Sequence, residues 1–189
     1  AKTDSTRLKK KNLRVIAGKT LVEHAIDYAE NGWLIKQIVV TTESDEVREL
    51  TKKYDNIILY QEPTEIMLDR HKVLYLPWIC GENYERTMDA VKESDASTCF
   101  GHFEFAGYDM LPGMPNQHGM DSNAFNNFDL VVSGHFHHRH SRGNITYMGN
   151  PYEITWSDYD DPRGFALFET IDGTLEYYDN PVSYTHLRA

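Results

Sequence analysis

A chain of 189 residues, 40% of them hydrophobic and 25% charged, has globular composition and the length for one substantial domain or two partial ones. Its formal net charge of −10 argues against a general nucleic-acid binder held by a basic surface, but not against a site where cations supply local positive charge. The longest apolar runs, Ile38-Val39-Val40 and Leu130-Val131-Val132, are far too short to span a membrane, and no basic-then-apolar leader opens the chain, so no membrane partner is expected. Cys80 and Cys99 lie outside any C-x-x-C pair and read as free thiols of a reducing compartment.

In chain order, Lys9-Lys10-Lys11 is a basic run beside Asn12. Leu21, His24, Ala25 and Tyr28 recur at helical spacing, with Asn31-Gly32 as a stop signal. Residues 35–41 form a β-branched run that predicts a buried parallel strand, and Ser44 caps a second helix carrying Val47, Leu50 and Thr51 on one face. Helix, strand, helix is an α/β unit, assigned to residues 1–55. Three short strands follow over 57–60, 66–68 and 73–76, with Asp69-Arg70-His71 as a turn, then a helix over 84–92 and a strand over 98–101. The Gly-, Pro-, Asn- and Met-rich stretch 107–127 reads as a long loop with one helical turn. A strand over 129–133 and antiparallel-type strands over 145–148, 165–169 and 175–178 complete the chain.

Nine histidines are the unusual feature, and two strand ends concentrate them. Cys99-Phe100-Gly101-His102 and Ser133-Gly134-His135-Phe136-His137 both run an apolar strand into Gly and then His. Strand ends are where α/β folds place ligands, and His135 and His137 share a side if the segment stays extended. Neutral imidazole suits Mn, Fe, Zn or Ni, so His102, His135 and His137 are candidate metal ligands. Two cations ~3.5–4 Å apart would clamp a phosphodiester and deliver a bound hydroxide for in-line attack. His138 and His140 read as surface residues beside the site, candidates for substrate contact. His24, His71, His118 and His186 carry no functional reading.

These strand ends resemble the last two motifs of the calcineurin-like metallophosphoesterases. More narrowly, residues 56–181 look like the C-terminal part of a nuclease subunit of the SbcD type, as in phage recombination endonucleases. Leu76-Pro77-Trp78-Ile79-Cys80, Tyr147-Met148-Gly149-Asn150-Pro151 and Asp160-Asp161-Pro162-Arg163-Gly164-Phe165 carry the likeness with the two histidine blocks. The resemblance implies a partial metallophosphoesterase β-sandwich with flanking helices and a two-metal site holding Mn2+, with Mg2+ or Zn2+ as substitutes. It also implies DNA as substrate, a homodimer, an SbcC-type ATPase partner and the cytoplasm of a bacterial or phage-infected cell. The earlier family motifs are missing: the chain contains no Gly-Asp and no Asn-His dipeptide, so the bridging Asp and the acid His have no counterpart and no catalytic residue is assigned. Asp69-Arg70-His71 and Gly149-Asn150-Pro151 match missing motifs by letters but lie in the wrong places.

Residues 1–55 resemble a short Rossmann-like α/β fragment of an acylneuraminate cytidylyltransferase, on Ala1-Lys2-Thr3-Asp4-Ser5, Lys11-Asn12-Leu13, Ile16-Ala17-Gly18-Lys19 and Ile38-Val39-Val40-Thr41-Thr42. That likeness implies a CTP-dependent nucleotidyltransferase and makes Lys2, Ser5, Lys11 and Asn12 nucleotide-binding candidates, against the plainer reading of Lys9 to Lys11 as a solvated turn. Residues 182–189 fit neither family and look like adapter read-through. Three readings follow: a nuclease-lineage phosphoesterase, a nucleotidyltransferase fragment, or a non-catalytic chimera.

Overall fold

The computed structural model describes residues 10–181, so the candidates Lys2 and Ser5 and the adapter-like tail lie outside the described residues. The first unit begins with a 3-10 turn, Lys11–Leu13, and a small antiparallel pair, β1 (Val15–Ile16) and β2 (Lys19–Thr20). Helix α1 (Leu21–Glu30) starts on a capping box: the Thr20 hydroxyl accepts from the Glu23 N–H, and the Glu23 carboxylate accepts from the Thr20 N–H. These bonds, with the Lys53 ammonium, hold the Glu23 pKa at about 2. Strand β3 (Ile38–Thr41) follows, and Ser44 caps helix α2 (Asp45–Thr51) as its sequence predicts.

Strand β4 (Ile57–Tyr60) pairs in parallel with β3, Ile38 opposite Ile57 and Thr41 opposite Tyr60. Residues 57–60 thus pair with the N-terminal unit, whereas the sequence placed them at the start of the second part. Val22, Ile26, Val47 and Leu50 form the buried cluster of this unit, flanked by Leu13, Ile38, Val40, Tyr54 and Ile57.

The larger part is mixed α/β. It is built on a six-stranded sheet ordered β11-β12-β10-β7-β6-β5, from β5 (Thr64–Leu68), β6 (His71–Tyr75), β7 (Thr98–Gly101), β10 (Leu130–Ser133), β11 (His140–Arg142) and β12 (Ile145–Tyr147). The four central strands run parallel, and antiparallel β5 and β11 close the edges. Strand β12 is antiparallel to β11, as the sequence suggested, and parallel to β10 on its other side, which the sequence did not suggest. Helix α3 (Tyr84–Glu93) makes the crossover from β6 to β7. The core gathers Leu74, Leu76, Val91, Cys99, Phe103, Phe105, Phe125, Val131, Ile145 and Tyr147.

The stretch read as a long loop contains a hairpin, β8 (Asp109–Leu111) and β9 (Met114–Pro115), and a 3-10 turn, Ser122–Phe125. A C-terminal antiparallel hairpin, β13 (Gly164–Phe168) and β14 (Leu175–Asp179), meets the sheet where Phe168 packs edge-on against His71 and Phe100. Gly173 is required there, since a Cβ would fall 2.4 Å from the His71 ring. His71 bonds Thr98, which accounts for it as a structural histidine.

Candidate functional site

Adjacent parallel strands β7 and β10 end at the same level, and local packing fixes what emerges from them. The buried Ser133 hydroxyl donates to the Phe103 carbonyl at 3.0 Å and accepts from the Phe103 N–H at 2.8 Å, tying the exit of β10 to that of β7. Gly101 lets Phe103 fold back into the core, because a Cβ there would lie 2.2 Å from its ring. The Tyr147 hydroxyl donates to the same Phe103 carbonyl and accepts from the Phe105 N–H.

His102 and His135 are brought together as a result, their ring centroids 5.0 Å apart and edge-to-face. Trp78, at the exit of β6, stacks on His135 at 5.8 Å and leans on His102 at 5.6 Å. The Glu104 carboxylate completes the group, with Oε2 3.5 Å from His135 Nε2. Its Oε1 accepts from Nδ2 of the buried Asn116, whose amide also donates to the His118 and Phe105 carbonyls. Glu104 and Asn116 carry no motif and were not singled out in the sequence. The available signal was alternation: with Phe103 and Phe105 buried in an extended segment, Glu104 must face the other way.

His137 turns elsewhere. Its Nδ1 lies 3.5 Å from Asp158 Oδ1, in a buried network centred on Arg163. Arg163 donates to the carbonyls of His137 and Asp158 and to Asp161 Oδ2, and His138 Nδ1 sits 2.9 Å from Asp161 Oδ1. Burial opposes ionisation of Asp158, but the Ile154 and Thr155 N–H groups, with Arg163 and His137, hold its carboxyl below the ordinary value. His140 stacks between His138 and Tyr147. Its Nε2 accepts from the Asp109 N–H, so the ring is a neutral Nδ1–H tautomer, and burial lowers its pKa. His138 and His140 are thus half-buried and held in packing.

Two imidazoles and a carboxylate are donors of the kind a divalent cation takes. Among the described residues, however, no group of three or more His, Cys, Asp or Glu side chains is placed to hold a metal ion. The arrangement among the described residues does not fit a two-metal centre. In the N-terminal unit, Asn12 lines an open cavity of about 430 Å³ with Val39, Val40, Thr41 and the α1 side chains Leu21 and Ala25. Lys11 is exposed and is not part of that lining. No helix among the described residues is long and apolar enough to cross a membrane.

A cytidylyltransferase family profile matches residues 1–75. The chain is 35% identical over 136 residues, 72% of its length, to exonuclease subunit 1 of Enterobacteria phage T4. It is 31% identical over 70 residues, 37% of its length, to the CMP-N,N'-diacetyllegionaminic acid synthase of Campylobacter jejuni. The chain spans 40% of the first relative and 30% of the second. One polypeptide thus carries likeness to two lineages of unrelated chemistry, an exonuclease subunit and a nucleotide-sugar synthase.

Proposed function

We propose that this chain is a chimera whose larger part, from about residue 56 onward, derives from a metal-dependent phosphodiesterase of the nuclease type and retains only a remnant of the catalytic centre. The convergence of His102 and His135 from two parallel strand ends carries the reading, because β-strands deliver ligands in this way at the carboxyl edge of a sheet. The 35% identity to an exonuclease subunit supports DNA as the ancestral substrate. An SbcC-type ATPase partner and a homodimer belong to the same proposal. His137, turned to Asp158, is outside the remnant. Without a bridging carboxylate or an acid His, this chain does not turn over DNA.

The test is paramagnetic. Mn2+ added to the chain broadens the imidazole resonances of His102 and His135 before those of His24, His71 and His118, with no measurable cleavage of linear DNA. Broadening without that order, or its absence, removes the remnant. Rapid Mn2+-dependent exonuclease activity abolished by His135→Ala overturns the claim of incompleteness.

A second reading, a CTP-binding fragment at Lys2, Ser5, Lys11 and Asn12, is favoured by the cytidylyltransferase profile over residues 1–75. Saturation-transfer NMR with CTP, compared between the chain and Asn12→Ala, tests it.

A further inference from the structure

Beside the strand-end histidines lies a cavity of about 210 Å³ whose lining includes Trp78, Ile79, Tyr84, His102, Glu104 and Met120. It is smaller than the roughly 300–1,000 Å³ pockets that enclose drug-sized ligands, which restricts it to one small, compact group. Its walls are of two kinds. Trp78 and Tyr84 offer aromatic surface and Ile79 and Met120 aliphatic surface. His102 and Glu104 form a polar edge.

The polar edge is built. Met120 N–H donates to the Glu104 carbonyl at 2.8 Å, and Gly119 approaches that carbonyl so closely that a Cβ would lie 2.4 Å from it. Asn116 Nδ2 donates to Oε1 of the Glu104 carboxylate, and His135 Nε2 lies 3.5 Å from its Oε2. An ionised carboxylate only accepts hydrogen bonds, so the group it meets must donate. A planar ring system that stacks on aromatic side chains and presents N–H groups in its plane satisfies both walls.

We propose that this cavity takes one unpaired nucleobase bearing an exocyclic amine, adenine or cytosine in preference to thymine, with its sugar and phosphate left in solvent. Stacking is sequence-tolerant because every base has a π-face, so discrimination falls to Glu104. Adenine N6 and cytosine N4 each offer it a two-proton amino group, whereas the single in-plane donor of thymine, N3–H, is flanked by the carbonyls O2 and O4, which the carboxylate repels. A net charge of −10 gives phosphates no general attraction, which places recognition on the base. The proposal deepens the nuclease-lineage reading but needs no metal and no cleavage, so either can fail while the other stands.

The test uses the full chain with Trp33→Phe and Trp156→Phe. Both of these tryptophans are strongly exposed, and their replacement leaves Trp78 as the only indole. In metal-free buffer, adenosine and cytidine quench Trp78 fluorescence saturably, and thymidine binds about tenfold more weakly, the equivalent of one lost hydrogen bond. Glu104→Gln, whose amide both donates and accepts, erases the preference while circular dichroism stays unchanged. Tyr84→Ala weakens all three ligands and keeps the preference. A short single-stranded dA oligomer that binds at least as tightly as adenosine identifies a strand as the source, and adenosine binding alone identifies the free nucleoside. Absence of saturable quenching, a preference that survives Glu104→Gln, or equal quenching by indole overturns the proposal.

Discussion

Asp158 shows how a residue without an obvious motif governs the histidine block. It is fully buried, accepts from two backbone N–H groups and faces both Arg163 and His137. Its carboxyl is held below the ordinary value despite burial. A depressed folded pKa contributes stability that is complete above the unfolded value of about 3.9 and lost as pH falls through the folded value. Asp158→Asn is expected to lower the unfolding free energy measured in urea at neutral pH by about 3–5 kcal/mol, the cost of removing one partner of a buried ion pair, with a lower midpoint, and to flatten the loss on acidification toward pH ~3. A variant whose midpoint falls with pH in parallel with the parent would show that another group titrates. The sequence contained Asp160-Asp161-Pro162-Arg163 as a recognisable block, but not that Arg163 would reach back to the His137 carbonyl and draw that histidine's loop toward Asp158. Contacts across more than twenty residues leave no periodic trace.

Elements with a strong local pattern were legible, and those defined by a neighbour were not. Strands β7 and β10 announce themselves as apolar runs ending in Gly-His, and α1 and α2 by their caps. Strand β11 is an edge strand of His, Ser and Arg with no apolar alternation, so only pairing with β12 makes it a strand. The β8–β9 hairpin hides among turn residues for the same reason. The segment around Gly119 is equally dependent on its partner. At φ +107, with the Glu104 carbonyl where a Cβ would sit, Gly119→Ala must push the two segments apart. Its expected result is a destabilisation above about 1 kcal/mol and a large chemical-shift change at the Met120 amide, which bonds that carbonyl. An unshifted Met120 amide would mean the segment adapts without moving Glu104.

At the scale of the molecule, two buried clusters exist side by side, one under α1 and α2 and one under the six-stranded sheet. The contacts that bridge them include the Tyr60–Tyr75 stack at 5.5 Å and the exposed Arg86–Glu62 pair. Two separate buried clusters are expected to open independently. Ile26→Ala, which removes a buried side chain and costs about 2–5 kcal/mol, is expected to speed amide hydrogen exchange over residues 20–60 and to leave β7 and β10 protected. Uniform acceleration through both would show one cooperative unit.

Composition and periodicity determined that this is a mixed α/β chain, and the Gly-His strand ends marked His102, His135 and His137 as the histidines to look for at strand termini. These are properties of single segments, set by backbone preference and side-chain alternation. Only the tertiary structure decided that β4 belongs with β3, that His137 serves Arg163 and Asp158 rather than its neighbour in sequence, and that Glu104 and Asn116 stand at the site. Each of those outcomes depends on which distant group satisfies a buried polar atom, and that competition is resolved only when the whole core closes.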